Sequence, residues 1–231
     1  MQLVYELFNA VETAYPNDNF IDSMKEILSQ SMQARSIYGA YNRAFSYLDQ
    51  ESWRLLKRKA IQHFRDHREG QLKQGFFNQL NDAFAYQYLV RKGCSNVRVL
   101  REDGNACPDI SYLESGLLRF CEVKSIGISD DEIQRRNGPR KVRDGSFDQR
   151  LSEGFLNKLA SSLTSARAQI TSNGGDGLVF VVVTFDDFTT RNYRVYRAQL
   201  ANRVLDHDSP EVFIKVEIKG NRRIYKPRAV T

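Results

Sequence analysis

Long hydrophobic runs are missing from this 231-residue chain. No apolar stretch approaches the roughly 18 residues that cross a bilayer as a helix. The N-terminus has no basic segment followed by an apolar one, so the expectation is a cytoplasmic protein with no membrane partner. Cysteine is scarce. Cys94, Cys107 and Cys121 are odd in number, widely spaced and without a CxxC pair, which argues against a zinc site or a disulfide framework. Of the three histidines, His63 and His67 are four apart. The Phe64-Arg65-Asp66 between them lacks the glutamate of a HExxH metal site, and a solvated helix face is expected. Neither an internal repeat nor a low-complexity segment is present.

Apolar residues and aromatics are plentiful enough for one packed α/β domain and an accessory piece: 41% of the chain is hydrophobic, with 14 Phe and 11 Tyr. Charge is unevenly placed. Residues 1–70 carry nine Lys/Arg and nine Asp/Glu, whereas residues 71–231 carry 25 against 19, so the net +6 lies wholly in the second part. A basic balance favours an anionic polymer as partner.

Residues 1 to about 50 have helical periodicity. Leu3, Leu7, Ala10, Val11 and Ala14 repeat at three and four, and Pro16-Asn17-Asp18-Asn19 stops the run. Helices are expected from about Phe20 to Met32 and Ala34 to Leu48, the latter with an aromatic stripe (Tyr38, Tyr41, Phe45, Tyr47) that suits a core face. Asp49 or Ser52 starts a further helix. Trp53, Leu56, Ala60 and Phe64 form its buried side, and Arg54, Lys57, Arg58, Lys59, Arg65 and Arg68 its basic side, a solvated face or one that tracks phosphates. Glu69-Gly70 is a plausible joint, dividing a helical accessory region (1–70) from the remainder (71–231).

Phe76 to Lys92 reads as one helix closed by Gly93. Asn96 to Arg101 is a strand, Glu102-Asp103-Gly104-Asn105 a turn. Cys107 to Ser125 then reads as a hairpin about Ser115-Gly116, with Asp109–Glu114 running down and Leu117–Ser125 running back. A two-residue loop sets Glu114 opposite Leu117 and, counting back, Asp109 opposite Glu122. Glu122 and Lys124 are two apart and share a face. Opposed acids destabilise a sheet, and Mg²⁺, which binds through one or two carboxylates, removes that cost. From the residues alone, a cation site and a surface hairpin whose Lys124 neutralises two acids both stand.

Residues 127–150 form a long irregular segment with a basic run at Arg135, Arg136, Arg140, Lys141 and Arg143. Phe155 to Ile170 is helical, Leu178 to Phe185 is a continuous β-branched strand, and Tyr193 to Arg197 reads as a strand before a short helix, Ala198 to Leu205. A closing hairpin takes Val212 to Ile218 and Arg223 to Lys226 about Gly220-Asn221.

Asp109…Glu122-Val123-Lys124, preceded by Pro108, resembles the signature of the PD-(D/E)xK nuclease superfamily. Asp82, Ala85, Tyr88, Leu89 and Gly93 resemble its first core helix, E-x-x-A-x-x-Y-L before a glycine, with Asp in place of Glu. The likeness covers about residues 82–185. It implies an α/β, restriction-endonuclease-like core of helix, three-strand meander, helix and strand, here with an N-terminal helical extension. It implies a nuclease acting on nucleic acid, DNA above all, with Mg²⁺ or Mn²⁺ as cofactor. Asp109, Glu122 and the Val123 carbonyl hold the metal, Lys124 is catalytic, and Asp82 is an auxiliary acid. Gln169 matches a polar helix position near the lysine, and the basic run grips the backbone. A homodimer is compatible with it. A non-catalytic nucleic-acid-binding module on a degenerate nuclease fold, and a protein-interaction module acting through the N-terminal helices, are the alternatives.

Overall fold

Helical periodicity in the first quarter of the chain becomes four helices: α1 (Gln2–Ala14), α2 (Phe20–Gln30), α3 (Met32–Phe45) and α4 (Gln50–Gln62). This is a computed structural model, and it describes residues 1–67, 72–101, 107–127, 150–185, 192–205, 212–218 and 221–225. Contacts divide the chain into two compact units, Met1–Cys121 and Glu122–Thr231. The joint expected at Glu69-Gly70 lies outside the described residues, as do the basic run Arg135–Arg143 and the turn expected at 102–105.

In the first unit α1 buries Val4, Leu7, Phe8 and Val11, a face turned slightly from the one expected. Its first turn is capped from a distance. Asn42 Oδ1 of α3 accepts the Leu3 and Val4 amides at 3.0 and 3.4 Å, satisfying two donors that a helix start leaves open. Tyr38, Tyr41 and Phe45 of the expected aromatic stripe are core, whereas α3 ends at Phe45 and Tyr47, past it, is part-exposed. Tyr38 stands 5.6 Å from Phe8, Tyr41 4.7 Å from Phe84, and Phe45 4.9 Å from Trp53. Such pairs add about 0.5–1.5 kcal/mol each beyond the area they bury.

The helix expected over Phe76–Lys92 is two helices, α5 (Gln74–Leu80) and α6 (Asp82–Lys92). The break is at Asn81. Its amide bonds back to the Asn78 carbonyl and the Phe84 amide bonds to the Asn81 carbonyl, both three residues apart, so the turn tightens there. Neither Gly nor Pro marks the position. The consequence is that Asp82 opens a helix, where its carboxylate meets the positive end of the helix dipole. Gly93, with φ 90°, closes α6 in the left-handed conformation that glycine tolerates.

Three antiparallel strands follow: β1 (Ser95–Val99), β2 (Ile110–Glu114) and β3 (Leu117–Ile126). The β2–β3 turn has Ser115 at φ 53° and Gly116 at φ 81°, both positive as a type I′ turn requires. The pairing runs from Glu114↔Leu117 to Ile110↔Cys121, the register counted from the sequence. Asp109 is the residue just outside β2, and the Leu100 amide bonds to its carbonyl at 2.8 Å.

In the second unit α7 (Glu153–Ser172) is capped by Ser152, whose Oγ accepts the Phe155 amide at 3.2 Å. It buries Phe155, Leu156, Leu159, Leu163, Ala166 and Ile170. β4 (Gly177–Phe185) carries the expected β-branched run, and Leu178 to Val183 are all buried. The strand expected at Tyr193–Arg197 is instead the first part of one helix, α8 (Tyr193–Leu205). Tyr196, Leu200, Ala201 and Val204 are its buried face, a helical spacing. The reason is topological. β4 pairs in parallel with β5 (Val212–Ile218), and parallel neighbours need a crossover, usually a helix. Gln199 fixes that helix by bonding both the amide (2.8 Å) and the carbonyl (3.2 Å) of Leu151. β6 (Asn221–Tyr225) returns antiparallel to β5. The protein is mixed α/β. Among the described residues no helix is long and apolar enough to cross a membrane.

Candidate active site

Asp109 and Asp82 are 27 positions apart in sequence, and one ammonium group holds both. Lys59 Nζ of α4 lies 2.9 Å from Asp82 Oδ2 and 3.1 Å from Asp109 Oδ1. The side chains of Lys59, Asp82 and Asp109 are 5%, 4% and 18% exposed, so the triad is shielded rather than a surface pair. Lys59 is thus not on the basic face to which the sequence assigned it. It sits on the buried face of α4 with Ser52, Leu55, Leu56 and Ala60. Asp82 is a buried helix-opening acid rather than an exposed one.

α4 is placed firmly enough to aim Lys59. Asp49 caps it, its Oδ1 accepting the Glu51 and Ser52 amides at 3.0 Å each. The Tyr86 hydroxyl of α6 donates to Asp49 Oδ2 at 2.9 Å, and Arg98 of β1 pairs with the same carboxylate. Burial alone would push the Asp49 carboxyl up. The Ser52 amide, the Tyr86 and Ser52 hydroxyls and Arg98 outweigh it and pull it down to about 2. Ser52 Oγ accepts the Val99 amide at 3.1 Å, and the Tyr15 hydroxyl donates to the Ile61 carbonyl at 2.9 Å. One helix is therefore tied to α1, α6 and β1 around the lysine.

In the second unit Glu122 and Lys124 project from one face of β3, as their spacing requires, and Lys124 Nζ donates to Glu122 Oε1 at 2.6 Å. Glu122 is 3% exposed while Lys124 is half-buried, so the amine is bonded to a shielded acid. Cys121, on the opposite face of β3, is fully buried as well. Gln169 is half-buried near the end of α7. Arg135, Arg136, Arg140, Lys141 and Arg143 lie outside the described residues.

The donors suit a hard cation in kind. Asp82 and Asp109 already converge on one positive group, and Mg²⁺ needs only one or two carboxylates, completing its shell with waters and phosphate oxygens. Among the described residues no group of three or more His, Cys, Asp or Glu is placed to hold a metal ion. His63 and His67 both lie beyond the end of α4, so they are not an i,i+4 helix pair. With Arg65, Asp66, Gln74 and Asn78 they line a polar cleft of about 550 Å³ in the first unit.

Lys59 is the residue that sequence reasoning missed. Its signal was its place three residues after Leu56 on a stripe that is otherwise apolar. No protein-family model, curated protein or solved structure matches the chain.

Proposed function

We propose that the protein is a metal-dependent nuclease that hydrolyses phosphodiester bonds in DNA. The observation that carries the reading is the convergence of Asp82 and Asp109 on one shielded cation, two carboxylates gathered from a helix start and a strand entry. The order α6, β1, β2, β3, α7, β4 supports the reading, because the resemblance implies a core of helix, three-strand meander, helix and strand. Asp109, Glu122 and the Val123 carbonyl are the assigned metal ligands, and Asp82 the auxiliary acid. Bound Mg²⁺ or Mn²⁺ supplies Lewis-acid polarisation of the scissile phosphate and a lowered pKa for a coordinated water. Lys124, the half-buried amine, orients the attacking water and offsets charge that develops on the phosphoryl oxygens. The basic run Arg135, Arg136, Arg140, Lys141 and Arg143, with Gln169, contacts the backbone and carries no base readout.

Lys59 also favours a second reading. Acids already neutralised by a lysine suit a degenerate fold that binds nucleic acid without cutting it. Cleavage of linear, supercoiled and single-stranded DNA in Mg²⁺ or Mn²⁺, beside Glu122→Ala and Lys124→Ala, separates the two. The nuclease reading predicts metal-dependent cutting that each variant reduces by about 100-fold or more. Cutting that persists in both variants, or DNA binding by all three proteins with no cutting, refutes it.

A further inference from the structure

We infer that Lys59 is a resident counter-cation of the candidate site: its ammonium holds the place between Asp82 and Asp109 that a divalent ion takes, so lysine and metal compete for one carboxylate pair. The inference rests on the metal reading of Asp109 and goes beyond it in making Asp82, the auxiliary acid of that reading, a direct ligand. It needs no assumption about which substrate is cut.

Three observations lead to it. First, the ammonium makes hydrogen-bonded ion pairs to both carboxylates at once, at 2.9 and 3.1 Å, with partners 23 and 50 positions away in sequence. A lysine on a solvated face does not bridge a buried acid, Asp82, and a part-buried one, Asp109. Second, Lys59 departs from an apolar surface, between the fully buried Leu56 and Ala60, on a helix tied at both ends by the Asp49 cap and the Tyr15–Ile61 bond. Its position is therefore set by the fold of the N-terminal helices. Third, the chemistry of the residue fits. Lysine carries a compact charge on a flexible four-carbon stem with three donors, so it can withdraw when a stronger cation arrives. Arginine would lock both carboxylates into a planar fork.

The consequence is a division of labour. Two acids brought together without a counter-charge would destabilise the fold that carries them, because breaking a buried ion pair leaves an uncompensated charge. Lys59 removes that penalty while no metal is bound and keeps both carboxylates in place. Metal uptake then exchanges one cation for another. Metal affinity is lowered by the competition, and the N-terminal helices become part of the site.

The test uses the full chain and the metal alone. Lys59→Met keeps the stem length and removes the charge. Its melting temperature is expected to fall without divalent ions and to be restored by millimolar Mg²⁺ or Mn²⁺, while the wild type shifts little. Calorimetric titration with Mn²⁺ is expected to give binding at least about tenfold tighter than wild type. Lys59→Arg is expected to keep stability without metal and to weaken Mn²⁺ binding. Lys59→Met combined with Asp82→Asn, left with one acid, is expected to lose the metal rescue. Should Lys59→Met be recovered only unfolded, its refolding yield with and without Mn²⁺ gives the same answer. A melting temperature that metal does not restore, Mn²⁺ binding no tighter than wild type, or refolding indifferent to Mn²⁺ overturns the inference. The two proposals fail separately. Metal-dependent cutting by the wild type without rescue of Lys59→Met sinks this one alone, and rescue without cutting by any protein sinks the nuclease alone.

Discussion

Replacing Asp49 tests whether the helix that carries Lys59 is held as described. Asp49→Ala removes the cap of α4, the acceptor for the Tyr86 hydroxyl and the partner of Arg98 together. Loss of an N-cap alone costs about 1 kcal/mol. The charge contributes separately. A carboxyl lowered from the ordinary aspartate range to about 2 corresponds by linkage to roughly 2 kcal/mol. With its side chain 31% exposed and Arg98 on the surface, screening reduces that to ~1 kcal/mol. Asp49→Ala is therefore expected to destabilise the first unit by about 2 kcal/mol. Asp49→Asn, an equally good cap, is expected to cost only ~1 kcal/mol. The sign with pH follows from a depressed carboxyl. Its contribution is complete above the unfolded-state value near 4 and is lost as pH falls toward about 2. The gap between wild type and Asp49→Asn should then narrow across that window. The chain has one tryptophan, Trp53, and it sits on α4 itself, buried against Phe45. Urea unfolding followed by its emission reports the unit in question, and 2 kcal/mol moves the midpoint by about 1 M. An unchanged midpoint for Asp49→Ala, or a gap for Asp49→Asn that does not change with pH, would refute the reasoning.

Two further outcomes follow from the hairpin. Ser115 holds a left-handed conformation at φ 53° beside Gly116, so Ser115→Asn, the preferred first residue of a type I′ turn, should raise the melting temperature. Gly116→Ala should lower stability by about 1 kcal/mol; equal melting curves for the three proteins would contradict the turn. Cys121 is fully buried whereas Cys94 and Cys107 are part-exposed. A thiol reagent should label Cys94 and Cys107 in the native protein and Cys121 only on unfolding, while burial, which pushes the Cys94 thiol up, slows its reaction relative to an open thiol. Native labelling of Cys121 as fast as the others would contradict the packing of β3.

The parts of the fold that were legible in the sequence are those set by local rules. A two-residue turn and an alternating strand on each side give the β2–β3 register without ambiguity, because a one-residue slip would turn every side chain to the other face. The continuous run of β4 and the three-and-four spacing of α7 are equally local. What escaped was decided by distant partners. The break at Asn81 has no Gly or Pro to announce it, yet it turns Asp82 into a helix-opening acid. The Tyr-rich start of α8 looks like a strand until the parallel pairing of β4 and β5 demands a helix between them. Lys59 carries the same charge as its neighbours Arg58 and Lys57 and differs only in which side of α4 it occupies. Glu122 and Lys124 were legible as a same-face pair, and the structure adds that the acid is buried and the amine reaches it at 2.6 Å.

Nicking of supercoiled DNA by Asp109→Asn beside the wild type is the most direct check on the central claim. The substitution keeps the shape and a hydrogen-bond acceptor for Lys59 and removes only the charge. The account predicts cutting by the wild type that appears with Mg²⁺ and vanishes with a chelator. It predicts loss of that cutting in Asp109→Asn, with DNA binding retained. Equal nicking by both proteins, or nicking by the wild type that a chelator does not stop, would contradict it.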